Sequence, residues 1–283
     1  MTDSPRTMLK GFRFPEGCRW HDGRLWFSDM HTGVLYSVSP EDSTPRVELT
    51  VDDQPSGLGW LPDGSLVVSC MLTRRIMRRG TDGQLTEYAD LSAATEYPIN
   101  DLIVDRSGRV IVGGFGYDLY ADAAPSDGSL FGVAADGSYQ VLADDLVFPN
   151  GMVILSSGVL VVAETFAARL TAYDIGANGE LRGRRVWALL PEGSTPDGLC
   201  ADAEDAVWVS SILPGQFLRV SEGGTVTDTI SLVDRLAVDC VLGGPGGTTL
   251  LLSTADSFHP EDTARSVVGR IEAVVVAVPG PAS

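Results

Sequence analysis

Apolar and polar positions alternate along this chain in short runs, punctuated by Gly, Asp-Gly or Ser-Gly, and no long stretch carries the 3.6-residue period of an amphipathic helix. Runs such as LVVSC (66–70), VIVGG (110–114) and VLVVAE (159–164) are rich in β-branched residues. Each follows a short apolar segment and a turn, which is the pattern of a β-hairpin. The pattern also repeats. Written in register, the copies are PEGCRWHDGRLWFSD from Pro15, PSGLGWLPDGSLVVSC from Pro55, INDLIVDRSGRVIVGG from Ile99, PNGMVILSSGVLVVAE from Pro149, PDGLCADAEDAVWVSS from Pro196 and DCVLGGPGGTTLLLST from Asp239. Their spacing of 40 to 50 residues is that of propeller blades. A second alternating pair follows each hairpin, for instance VLYSVSP and RVELTV in the first copy. Four short strands in each of six copies predict an all-β, six-bladed β-propeller. It is expected to be a single domain over residues 1–283, with blades starting near 15, 55, 99, 149, 196 and 239. The segment KGFRF lies outside the copies and is expected to supply the outer strand of the last blade, closing the ring. The 32 Gly and the β-branched runs exclude an all-helical solenoid of similar period.

In a propeller the first strand of each blade lines a central channel, so equivalent positions converge on one axis. The second residue of each copy gives Glu16, Ser56, Asn100, Asn150, Asp197 and Cys240. Two carboxylates and two amides without an imidazole suit a hard divalent cation, with Ca²⁺ favoured over Zn²⁺. The other reading of the same ring is a polar, water-filled channel. The loops that return to this face (28–33, 69–75, 113–129, 163–169, 210–216 and 253–266) are expected to bring Phe115, Tyr117, Tyr120, Phe166, Phe217 and Phe258 to the channel mouth, with His31 and His259. Aromatic side chains there favour a partly apolar ligand.

Composition narrows the partners. With 38 acidic and 20 basic residues the formal net charge is −18, a field that repels nucleic acid and anionic membranes. No apolar span is long enough to cross a bilayer and the first residues form no signal core, so a soluble, cytoplasmic protein is expected, as a monomer or small homo-oligomer. Cys18, Cys70, Cys200 and Cys240 are too few and too scattered for a disulfide framework and read as buried thiols. There is no G-x-S-x-G, H-E-x-x-H or G-x-x-x-x-G-K motif. Arg74, Arg75, Arg78 and Arg79 read as a solvated blade edge guarded against strand pairing. His21, beside the Asp22-Gly23 turn, is expected at the far end of the propeller.

The ring and its flanks, PEGCRW, IND, PNG and PDGL, resemble the SMP-30/gluconolactonase/regucalcin family of six-bladed propellers, over about residues 11 to 280. The resemblance implies that Glu16, Asn150 and Asp197 hold one divalent cation, most simply Ca²⁺ with Zn²⁺, Mg²⁺ or Mn²⁺ as alternatives. Asn100 would join them or hold substrate. It further implies a metal-dependent hydrolase that opens a lactone or related ester, the cation polarising the carbonyl while water attacks. Asp197 is then the first candidate for general base and His259 the second, with Asn100, Phe115, Tyr117 and Phe166 placed to bind substrate. Asp101 matches a family Asp, but strand alternation turns it away from the channel and makes it structural. Sugar-acid lactonases of the family carry Arg two residues before the position of Asn100, where this chain has Pro98, so a less polar lactone or ester is expected. Alternatives on the same site are organophosphate or other ester hydrolysis and a biosynthetic tailoring step. A non-catalytic metal- or ligand-binding scaffold is the alternative from another class.

Overall fold

The computed structural model describes residues 4–42, 44–120 and 124–281. Six antiparallel sheets of four strands each make a six-bladed β-propeller, as the repeat predicts. The inner strands are Pro15–His21, Pro55–Trp60, Ile99–Val104, Pro149–Ile154, Pro196–Ala201 and Leu236–Gly243. Five blades are chain-consecutive meanders. The sixth orders its strands as Leu236–Gly243, Thr249–Ala255, Gly269–Val275 and then Arg6–Phe12, so the first strand of the chain is the outer strand of the last blade. Local chemistry fixes the hairpins. Asp22 and Gly23 both have positive φ (48° and 71°) between the paired residues His21 and Arg24, the geometry of a two-residue type I′ turn.

The core lies between blades, where each sheet face meets the next. Trp208, Phe217, Cys240 and Leu252 pack between the fifth and sixth blades, and Phe12, Phe27 and Ile271 between the sixth and the first. Phe217 is therefore a fully buried core residue and not part of the mouth. All four cysteines are buried free thiols. The arginine run also differs from its expected setting. Arg75–Arg79 is the third strand of its blade, hydrogen-bonded on both sides, and the edge belongs to Leu85–Asp90. Its arginines meet acids, Arg75 with Glu87 at 3.2 Å, Arg79 with Glu48 at 3.2 Å and Arg78 with Asp63.

Every inner strand slips register with its neighbour near its start, between Glu16 and Arg19, Pro55 and Leu58, Ile99 and Leu102, Pro149 and Met152, Pro196 and Leu199, and Ala237 and Asp239. Such a bulge suspends strict alternation. Two consecutive residues of each inner strand consequently approach the axis, one in an upper layer and one below it. The slip in the last blade also corrects the register of the sixth copy. Ala237, paired with Thr254, is its first residue, so Val238 and not Cys240 stands in the upper ring. Cys240 is fully buried, its Sγ 3.7 Å from that of Cys200.

Candidate active site

Hydrogen bonds link one arc of the upper ring. Ser56 Oγ donates to Asn100 Oδ1 (3.1 Å), Asn100 Nδ2 to Asn150 Oδ1 (2.8 Å), and Asn150 Nδ2 to Thr165 Oγ1 (3.3 Å), which donates to the Pro196 carbonyl (2.8 Å). Thr165, which the repeat did not single out, thus helps hold the ring's amides. Glu16, Asn100, Asn150 and Asp197 are all buried. Glu16 Oε1 is buried with no hydrogen-bond partner. Burial pushes the Glu16 carboxyl up to about 8, opposed by the nearby Ser56 hydroxyl and reinforced by Asp101 and Asp239. Asp197 is raised well above the carboxylate range, first by burial and then by the charge of Glu16. Two acids held this way want a counter-charge.

Beneath them lies a lower layer. Glycine fills the equivalent position in four blades because adjoining backbones meet there. A Cβ on Gly57 would overlap the Leu102 nitrogen and the Asp101 carboxylate, and one on Gly198 the Asp239 carboxylate. The third and sixth blades instead carry Asp101 and Asp239. Asp101 accepts from Leu102 N at 2.8 Å and pairs with Arg19 at 2.7 Å, while Asp239 accepts from Cys18 N and Cys240 N at 2.6 and 2.7 Å. Both acids help line a small recess under the ring, together with Glu16 and Asp197. Asp101 therefore faces the channel rather than away from it, because the bulge displaces the alternation on which its expected orientation rested.

Above the ring opens a cavity whose floor includes Glu16, Asn100, Asn150 and Asp197. Its wall is apolar, with Phe14, Met30, Met71, Phe115, Phe148 and Phe166 among its members and, among the described residues, no Lys, Arg or His. Phe115 stacks on Phe148 at 4.1 Å and Phe166 meets the same ring edge-on at 5.0 Å. Phe148 holds a positive φ of 57°, a costly conformation for a bulky residue. Tyr117 is buried behind this wall, 5.6 Å from Phe148, and faces a separate recess beside Phe166. His259 is exposed at the start of a short helix, Pro260–Thr263, with its ring 4.4 Å from Phe258 and outside the cavity lining. The helix start turns it outward, and Phe258 takes the inward place. His31 is partly buried against Phe14, at 5.1 Å, and bonds Thr263 Oγ1 at 2.6 Å. His21 stacks on Trp60 at 3.8 Å, away from the cavity.

The ring's donors fit a hard cation. Among the described residues no three His, Cys, Asp or Glu side chains are grouped to hold a metal. The ring offers a different set, two carboxylates and two amides, one carboxylate oxygen being buried and unpartnered.

Comparison with known proteins agrees with this architecture. Residues 14–256 match the model of the SMP-30/Gluconolactonase/LRE-like region. A 6-deoxy-6-sulfogluconolactonase from Pseudomonas putida is 27% identical over 263 residues, covering 90% of this chain and 88% of that protein. Regucalcin from Danio rerio is 27% identical over 175 residues, only 60% of this chain and 59% of its own length. Among solved structures, a luciferin-regenerating enzyme superposes with a TM-score of 0.84 at 20% identity, over 99% of this chain and 98% of that one. A calcium-binding protein, regucalcin, from Agrobacterium tumefaciens gives 0.81 at 20% identity, over 99% and 95%. A match to the family model from the first blade to the last, on the same six-bladed frame, makes this chain a member of the SMP-30/Gluconolactonase/LRE-like family.

Proposed function

We propose that the protein is a hydrolase that opens a lactone, or cleaves a related ester, at the acid and amide ring. The observation that carries this reading is a buried floor of two carboxylates and two amides beneath an apolar cavity, with one carboxylate oxygen unpartnered. The sulfogluconolactonase relative supports the reaction class. Glu16, Asn150 and Asp197 would hold a divalent cation, with Asn100 beside them. Such a cation, Ca²⁺ by the hardness of the donors, supplies Lewis-acid polarisation of the carbonyl when bound.

The chain's own groups do the rest. The apolar wall seats the substrate and excludes bulk water, which strengthens each polar contact at the floor. Asn100, anchored by Ser56 and Asn150, orients the acyl group. Asp197, ionised where a cation offsets its burial and the charge of Glu16, takes the proton from the attacking water, and the same proton serves the departing oxygen when the ring C–O bond breaks. His259 has no part in this scheme because it stands outside the cavity.

The test is turnover of a panel of lactones and esters after chelation and after restoring Ca²⁺, Mg²⁺, Mn²⁺ or Zn²⁺. Asp197→Asn is expected to lower kcat by about 100-fold or more at saturating cation. Turnover that survives both chelation and Asp197→Asn would place the chemistry elsewhere.

A further inference from the structure

The shape of the mouth says more about the substrate than the floor does. Tyr120 Oη donates to the Phe258 carbonyl at 3.2 Å, joining a loop of the third blade to one of the sixth across the opening. This crossbar divides the mouth in two. Towards the first and second blades the lining is closed, since Met30 and Met71 are 4% and 2% exposed. Towards the fourth and fifth blades it is open, since Phe166 and Leu213 are 50% and 55% exposed although both line the cavity. An apolar track therefore runs from the ring to solvent between the loops that carry these two residues.

Charge points the same way. Among the described residues the lining has no Lys, Arg or His to hold an anionic ligand, and the chain carries −18 overall. A neutral ester enters such a field without penalty, whereas a carboxylate is expelled from it. Hydrolysis makes that conversion. Water adds its oxygen to the acyl carbon, the acyl C–O bond breaks, the departing alkoxide takes one proton, and the resulting acid loses another to the medium.

We propose, on the hydrolase reading above, that the substrate is an uncharged lactone or ester with an alkyl or aryl tail that leaves the cavity between the fourth and fifth blades, over Phe166 and Leu213. The tail covers apolar surface that the protein otherwise exposes, and each buried methylene is worth about fourfold in affinity or kcat/KM. The ester group sits at the ring, and selectivity is set at the opening.

The experiment measures kcat/KM with the cation-loaded protein for γ-lactones with tails from none to eight carbons, beside gluconolactone and linear alkyl esters. In parallel, calorimetry measures binding of the corresponding γ-lactams, which keep the ring and tail but resist hydrolysis. Tail length should raise both kcat/KM and lactam affinity, by about two- to fourfold per carbon over the first several carbons. Phe166→Ala with Leu213→Ser should flatten both slopes, with circular dichroism and the unfolding midpoint confirming a folded chain. A flat wild-type slope, preference for gluconolactone, or a slope that the double variant leaves intact overturns the tail path while leaving the hydrolase reading standing. No turnover of any lactone or ester by loaded protein overturns that reading and the substrate assignment with it, and the lactam slope alone then decides whether the track binds apolar ligands.

Discussion

At the scale of single residues, His31 shows how the fold sets a charge state. It stacks on Phe14 and its Nδ1 meets Thr263 Oγ1, while the cationic Arg13 bonds its carbonyl at 3.2 Å. Burial, then the Arg13 charge, pushes its pKa down to about 4 from an ordinary 6.5. A histidine whose folded value is depressed costs nothing above pH 6.5, where folded and unfolded chains are both neutral. As pH falls, the unfolded chain takes up the proton first, and stability is lost until the folded form also protonates near pH 4. The full loss is about 3 kcal/mol. Urea unfolding at pH 7.5 and 4.5 should show His31→Gln losing less stability on acidification than the unsubstituted chain. Parallel losses in the two proteins would remove His31 from the account. The ring residues Glu16, Asn100, Asn150 and Asp197 were legible in the sequence because each occupies the same place in a repeated motif. Phe14 and Phe148 lie outside the ring position that the repeat marks, although each directly precedes the proline that opens its copy. Met30, Met71 and Thr165 follow the second strand of their blades, where length and composition vary and no motif marks them.

At the scale of elements, the bulge in each inner strand is what makes a two-layered channel from a regular meander. It explains why the repeat placed the second residue of the first five copies in the upper ring while alternation turned Asp101 the wrong way, since alternation holds only while the ladder keeps register. It also explains the sixth blade. That copy lacks the Pro-x-Gly signature, and only its pairing with Thr249–Ala255 shows that Val238 occupies the ring. Where the bulge brings blades together, glycine is a packing requirement. Gly57→Ala would drive a methyl group into the Leu102 backbone and the Asp101 carboxylate. A loss of about 1–3 kcal/mol is expected from this overpacking, seen as a lower midpoint of denaturation. An unchanged midpoint would mean that the second and third blades meet more loosely than the geometry implies. The outward His259 belongs to this scale as well, because a loop's position in the repeat fixes the end of the propeller it occupies but not which of its residues faces inward.

At the scale of the whole molecule, the propeller gathers side chains from blades widely separated in sequence around one axis, and the strand Arg6–Phe12 ties the last blade to the first part of the chain. The blade count and the face that carries the mouth could be read from period and turn chemistry alone. The mouth's asymmetry could not, because the Tyr120–Phe258 crossbar and the exposure of Phe166 and Leu213 depend on how irregular loops pack. No helix among the described residues is long and apolar enough to cross a membrane. The excess of acid over base is distributed with purpose at the axis, where four buried carboxylates, Glu16, Asp101, Asp197 and Asp239, are matched by the single guanidinium of Arg19. Among the described residues neither Glu16 nor Asp197 forms an ion pair, Arg19 being engaged by Asp101 and Asp239. Calorimetric titration of chelator-treated protein with Ca²⁺ tests this point most directly. The account predicts one ion bound per chain, with affinity at least tenfold weaker in Glu16→Gln and lost in the Glu16→Gln, Asp197→Asn double variant. Absence of binding, or binding that the double variant retains, would contradict it.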